Sequence, residues 1–250
     1  MFIIWGKKYV YRKIGFVADF CPICRTVHAF VVKRVGLAGH LYYISAGEGE
    51  LAGFERTCES CATTFVTDTD KYREIVKKSP SLADLRTQTF PDLDVVMHDR
   101  LALEARIAKA PMLLSRDERN ALILGPFMLL AQKVEKRYAS TDLDKEVGLA
   151  LVAALVLMTA GPAASLALFP DGGPAVMLGF MVLALALVAW QMMVAKRRFM
   201  TRKVVPLLAK ALRPLKPSDN ELQAALAQMR QAGHKIGIKL KLPELQAQLH

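Results

Sequence analysis

Two stretches of this 250-residue chain lack any ionisable side chain. They are VGLALVAALVLMTAGPAASLALF, Val147 to Phe169, and AVMLGFMVLALALVAWQMMVA, Ala175 to Ala195. Without charge over 23 and 21 residues, neither can be an ordinary surface helix, which needs a polar face. Other absences narrow the chemistry. The five histidines (His28, His40, His98, His234 and His250) form no HExxH or His-x-His arrangement. There is no nucleotide-binding glycine loop and no G-x-S-x-G elbow. Asp92, Asp94, Asp99, Asp117 and Glu118 therefore fit helix caps and solvated faces better than a set of catalytic acids. The opening MFIIWGKKYVYRK has too short an apolar stretch for a secretory signal.

About 20 helical residues cross the hydrocarbon core of a bilayer, so both uncharged runs are long enough. Between them PDGGP, Pro170 to Pro174, is tight-turn chemistry, and the expectation is an antiparallel transmembrane hairpin. Gly161-Pro162 offers a place for a kink in the first span, and Trp190 lies toward the inner end of the second. Lys133, Lys136, Arg137 and Lys145 precede the first run, and Lys196, Arg197, Arg198, Arg202 and Lys203 follow the second. The turn has only Asp171, so the positive-inside rule places both termini in the cytoplasm. The net charge of +11 is concentrated at the end, where the tail from Lys196 carries 12 basic against three acidic side chains. Anionic lipid at this basic tail accounts for that bias. The tail contains no nucleic-acid-binding motif, and a nucleic-acid partner is not expected.

Cysteine is scarce and fully patterned. The four cysteines form two pairs, Cys21 and Cys24 in FCPIC, and Cys58 and Cys61 in TCESC. In a reducing cytoplasm, metal or redox chemistry is favoured over structural disulfides. Two Cys-x2-Cys turns brought together supply four thiolates, and soft ligands in tetrahedral geometry suit one structural zinc ion. An iron–sulfur centre or an iron site would use the same ligands. A dithiol redox site is the other alternative, because Cys-Pro-x-Cys looks like a thioredoxin-type active site. That chemistry, however, needs a strand-to-helix junction, and strand-like sequence follows Cys24. Around the pairs, FIIW, KYVYRKIGFVADF, VHAFVVKRV, HLYYIS and AGFERTC read as strands broken by glycine, with AGEGE as a hairpin tip. A sheet this small buries little apolar area, so a metal cross-link would contribute folding energy directly.

The pieces FIIWG (Phe2 to Gly6), CPIC (Cys21 to Cys24), LYYI (Leu41 to Ile44) and CESC (Cys58 to Cys61) resemble a small bacterial zinc-ribbon family. That family opens with an I-[IF]-[WF]-G-type strand, then has a C-P-x-C knuckle and a closing C-x-x-C. The resemblance covers about residues 2–65. It implies that Cys21, Cys24, Cys58 and Cys61 are the zinc ligands and that Tyr42 and Tyr43 lie on a core or knuckle-packing strand. Arg25 stands where the family often has glycine after its first knuckle. The resemblance implies a fold, a metal and a bacterial setting, and no activity.

The remaining sequence is read as helical. SPSLADLRTQTFPDL is turn-rich; helical spacing follows from Leu93 to Lys109, and Ser115 with Glu118 caps a helix over Asp117 to Tyr138 that Pro126 bends. Phe199 to Leu215 reads as an interfacial amphipathic segment. Ser218 with Glu221 caps a helix through Gln231, which Gly233 ends; KIGIKLKLPEL alternates as a short strand or a disordered basic tail. The expected fold is thus a small β-rich zinc ribbon, then cytoplasmic α-helices and a two-helix transmembrane hairpin. Its parts are a ribbon module over 1–66, a linker over 67–91 and a cytoplasmic helical segment over 92–146. Spans over 147–169 and 175–195 flank an external turn at 170–174, and a basic cytoplasmic tail covers 196–250. The leading functional expectation is a non-enzymatic interaction or scaffolding module at the inner face of a bacterial plasma membrane, with a membrane or cytoplasmic protein partner. A membrane-bound thiol-disulfide oxidoreductase using Cys21 and Cys24 is one alternative. A small transporter or channel subunit is another, disfavoured because the spans hold only Thr159 and Gln191 as polar side chains of note.

Overall fold

The computed structural model describes residues 5–41, 44–45, 47–78, 81–140, 144–168 and 173–249. Tyr42 and Tyr43, the start of FIIWG and most of the PDGGP turn lie outside the described residues. The chain divides into two compact units, Met1–Ser115 with Arg213–Lys216, and Arg116–Leu212 with Pro217–His250.

In the first unit, β1 (Trp5–Cys21) and β2 (Thr26–Leu41) form a long antiparallel hairpin. β4 (Glu50–Cys58) pairs with β2, β5 (Thr64–Thr67) pairs with β4, and the two-residue β3 (Ile44–Ser45) pairs with the end of β2. Gly47 and Gly49, from AGEGE, take positive φ in the connection before β4. The sheet is covered on both faces at its knuckle end. On one face Phe16 and Ala18 of β1 pack with Val27, Ala29 and Val31 of β2 against Leu85. Leu85 belongs to α1 (Leu82–Thr89), a helix within the segment read from sequence as linker, whose N-cap Ser81 accepts from the Asp84 amide. Gly15 sits at a bulge in β1, where a Cβ would lie 2.4 Å from the Val76 carbonyl oxygen; the close approach lets Phe16 and Val76 form a bridge along the strand edge. Thr89 closes the same edge, its hydroxyl accepting from the Ala18 amide at 2.9 Å. Two further helices, α2 (Leu93–Val96) and α3 (His98–Lys109), stand where one helical run was expected.

The other face of β1 carries a charge into the interior. Asp19 is fully buried and accepts hydrogen bonds from Lys71 Nζ and the Tyr72 hydroxyl, both at 2.6 Å, while Arg56 pairs with it from β4. Arg56 in turn lies over the Phe30 ring, 4.8 Å from its centre, and Tyr72 meets Phe90 edge-on.

In the second unit, α4 (Arg116–Ala139) runs through Pro126 and buries Ile123, Phe127, Leu130 and Val134. It packs against α7 (Val205–Leu212), α8 (Asp219–Gln231) and α9 (Lys235–Lys239), and α10 (Leu242–Leu249) packs on α7. The Ser218–Glu221 capping box forms as expected, and Glu221 also accepts from Arg119 of α4, with one bond at 3.0 Å. Gly233, at φ 77°, follows the helix end. Two tail expectations are corrected. Val205, Leu208 and Leu212 of α7 are buried against protein rather than presented to a membrane interface, and KIGIK is a helical turn, not a strand.

Between α4 and α7 run α5 (Lys145–Leu168) and α6 (Gly173–Phe199), which pack together. Asp144 meets Arg198 at one end, and Gly161 meets Phe180 farther along, so they are antiparallel. Their seam is built of small side chains: Ala150, Ala154 and Gly161 on α5, Ala184 and Ala195 on α6. A Cβ on Gly161 would come within 2.8 Å of the Phe180 ring. The outward surfaces are apolar, with Leu149, Leu155, Met177, Leu185, Trp190 and Met193 exposed. Among the described residues one helix, Ala175–Leu215, is long and apolar enough to cross a membrane, with a mean hydropathy of 2.2 over its most apolar window. Side chains of α5 beyond Gly161 lie outside the described residues.

The buried Asp19 network yields a test. Burial alone would raise the Asp19 pKa, but Arg56, then Lys71 and Tyr72, outweigh it and hold the carboxyl below its ordinary value. The stability it contributes is therefore present above the unfolded value of about 3.9 and lost as pH falls through the lower folded value. Asp19→Asn, which leaves the largely buried Arg56 without its counter-charge, is expected to cost roughly 3–5 kcal/mol. It should also flatten acid sensitivity. Hydrogen exchange of peptides covering Gly15 to Cys21, in wild type and variant across pH, measures both; unchanged protection would refute the network's role.

Candidate metal centre

Strand register builds this site. Cys21 and Thr26 are the last cross-strand pair of the β1–β2 hairpin, so Pro22 to Arg25 form its tip. Cys58 ends β4 and Thr64 opens β5, so the second cysteine pair occupies the neighbouring hairpin tip. Because Phe30 of β2 pairs with Val17 of β1 on one side and Cys58 of β4 on the other, the two tips fall side by side. A bond from the Glu59 amide to the Ala29 carbonyl, 3.0 Å, ties them.

The two tips share one backbone design. The amide of Arg25 donates to the Cys21 carbonyl at 2.7 Å, and that of Ala62 to the Cys58 carbonyl at 2.9 Å. Each residue following the second cysteine turns left-handed, Arg25 at φ 61° and Ala62 at φ 52°. This turn aims the amide of the second cysteine at the sulfur of the first, as Cys24 N–H does to Cys21 Sγ at 3.4 Å.

All four Sγ atoms lie within 4.8 Å of one another, and Cys21 and Cys61 are 3.6 Å apart. Four sulfurs bound at about 2.3 Å around a tetrahedral zinc stand about 3.8 Å apart, so the cluster matches in size. Cys21, Cys58 and Cys61 are buried and Cys24 is partly so; all are free thiols. Such a cluster is consistent with a single structural Zn2+. Neither His28 nor His40 belongs to it.

The thiols of the cluster perturb one another. Hydrogen bonds from Cys21 and Cys58, with help from Thr63, hold the Cys61 thiol far below its usual range. Cys21 is driven far up, by its bonds to Cys58 and Cys61 and by burial. For Cys58 the bond to Cys21 lowers the value, but the bond to Cys61 and burial prevail, pushing it to about 11. Nearby basic side chains are committed to carboxylates. Arg25 reaches Glu104 at 2.7 Å, Arg100 reaches the same carboxylate at 2.8 Å, and Arg56 and Lys71 serve Asp19. A divalent cation held by the four sulfurs would balance the charge of their thiolates.

No family model, no curated protein and no solved structure matches the chain. The metal assignment therefore rests on geometry and ligand chemistry. The cysteines singled out from sequence are the ones the fold brings together. Sequence reasoning did not identify Asp19, Arg56, Lys71 or the Arg25–Glu104 pair, which surround the site. For Arg25 a signal existed, its place directly after the first knuckle.

The two left-handed residues separate strain from tethering. A non-glycine residue in that conformation costs roughly 1 kcal/mol, which glycine relieves. Ala62 is exposed, so Ala62→Gly should slow zinc loss to a chelator several-fold. Arg25→Gly relieves the same strain but removes the buried pair with Glu104, and should speed that loss. Equal effects of the two changes would refute this division.

Proposed function

We propose that the chain is a membrane-anchored, non-catalytic zinc-ribbon protein, an interaction module at the inner face of a bacterial plasma membrane. The observation that carries the reading is the closed ligand set: four cysteines converge on one point, with no open position at which a substrate or water would bind a zinc ion. Two adjacent hairpin tips with Cys-x2-Cys pairs also support the resemblance to the small zinc-ribbon family. The anchor is a two-span hairpin, α5 and α6, with both termini cytoplasmic. Support comes from the length and lack of charge of both runs, the outward apolar surfaces, and basic residues at the end shared by Lys145 and Lys196 to Arg198. Anionic lipid is the natural partner of the basic tail. A protein partner has a suitable surface on the ribbon, where Tyr9 and Tyr11 are exposed beside Lys7 and Lys13 on one face of β1.

Thiol-disulfide exchange is the less favoured reading. Cys21 and Cys24 occupy a β-hairpin tip rather than the start of a helix, and they share their site with Cys58 and Cys61.

Metal and thiol content of the full chain, purified in detergent under anaerobic conditions, decides between them. The expected result is one zinc per chain, four thiols that react only after chelation, and loss of ordered β-sheet when zinc is removed. Zinc binding of this kind is worth on the order of 10–16 kcal/mol to a small fold, so Cys21→Ala or Cys58→Ala should unfold the ribbon. Absence of metal together with a reversible Cys21–Cys24 disulfide would make this a redox protein. Release of the chain from membranes by alkaline carbonate would refute the anchor.

A further inference from the structure

Where α4, α5 and α6 meet, the second unit encloses a half-open cavity of about 570 Å³, within the size range of small-ligand sites. Five cationic side chains line it: Arg137, Lys145, Arg198, Arg202 and Lys203, with Phe199 as an apolar wall. Two carboxylates share the space, and each already has an arginine. Asp144 accepts from Arg198 Nη2 on both oxygens at 3.1 Å and from the Val147 amide at 2.9 Å, and Glu146 accepts from Arg202. Five cations against two carboxylates leave the cavity at +3. Lys145 and Lys203 are exposed at its rim. Arg198 adds a second observation. Its side chain is 16% exposed, and its Nη1 donates to Gln191 Oε1 at 2.5 Å. Its Nε is buried without a hydrogen-bond acceptor in the protein. A concave site with surplus guanidinium and ammonium groups and an unanswered buried donor suits a tetrahedral oxyanion, which offers several acceptor oxygens.

We propose that this cavity binds a phosphate group, carried either by the headgroup of an anionic phospholipid or by a free phosphate. The lipid source rests on the membrane reading above, because the cavity lies beside the first turn of α5 and the last turn of α6, where the uncharged runs give way to charge. A phosphodiester there would accept from the arginines while its acyl chains follow the apolar surface of the helices.

The test uses the full chain in phosphate-free detergent, exchanged into nanodiscs of phosphatidylcholine with and without phosphatidylglycerol, with native mass spectrometry of retained lipid. A parallel titration uses inorganic phosphate. Lys145→Gln with Lys203→Gln removes two rim charges, and Lys239→Gln with Lys241→Gln removes two elsewhere in the tail. Arg137→Gln is a second cavity variant. The proposal expects retention of phosphatidylglycerol over phosphatidylcholine, or saturable phosphate binding, weakened about tenfold by either cavity variant and unchanged by the tail variant. Preferential lipid retention identifies the headgroup as the source; phosphate binding without it identifies the free ion. Equal losses in the cavity and tail variants, or no binding of either probe to wild type, would overturn the proposal. Carbonate extraction of the same membranes reports separately on the anchor, and the phosphate titration tests the cavity whatever that result.

Discussion

Four sulfur atoms within 4.8 Å of one another, three of them buried, place a charge requirement on the whole N-terminal unit. Thiolates repel, and a buried site has little water to screen them. Asp19, two residues before Cys21, adds another buried negative charge at the same end of the sheet. The fold answers Asp19 with Arg56 and Lys71, and answers Glu104 with Arg25 and Arg100. Four basic groups share these two carboxylates, a local balance of +2, and a divalent cation would supply the rest of what four thiolates need. The site thus reads as a metal centre because of its surroundings as much as its ligands.

The same requirement explains the distribution of the core. The fully buried residues of the sheet, Val17, Ala18, Phe30 and Val32 among them, crowd the knuckle end, where α1 and the segment containing Tyr72 close over the two faces. Toward Lys7 the β1–β2 hairpin extends with Tyr9 and Tyr11 exposed, while Val35 and Ala38 of β2 stay buried. A sheet anchored at one end gains most from a cross-link there, since the link joins β1, β2, β4 and β5 through their two tips.

Much of this was legible in residue types. The Cys-x2-Cys pairs identified the cluster, the β-branched and aromatic runs identified the strands, and Ser218 with Glu221 marked a helix start that the fold uses. These are local signals, carried by a few adjacent residues. What escaped was set by distant partners. α1 lies in a turn-rich segment with little amphipathic pattern, and its position depends on Leu85 finding Phe16 and Ala18. KIGIK alternates like a strand, yet Ile236 is buried in helical backbone and a Cβ on Gly237 would lie 2.5 Å from the Arg230 amide nitrogen. There tertiary contact overrides a two-residue period. The ion pairs around the knuckles join residues 37 to 79 positions apart, which no local pattern displays.

The second unit contains its own control for the membrane argument. Over α7 the chain buries Val205, Leu208 and Leu212, and over α4 it buries Ile123, Phe127 and Leu130. Asp117, Glu118 and Lys136 of α4 and Lys210 of α7 face outward, with Met128 and Leu129 also exposed on α4. Over α5 and α6 the pattern is reversed: Ala150, Ala154 and Ala184 are buried and Gly161 meets Phe180, while Leu155, Met181, Leu185 and Met193 face out. Packing alone could not favour that inversion in water, because exposing so many large apolar side chains forfeits about 25 cal/mol per Å² of surface left wet. Small residues inside and large apolar residues outside suit a solvent of acyl chains, in which helices associate by close backbone approach rather than by hydrophobic burial. The change in surface chemistry along α6 occurs around Lys196 to Arg198, beside the cationic side chains that line the cavity.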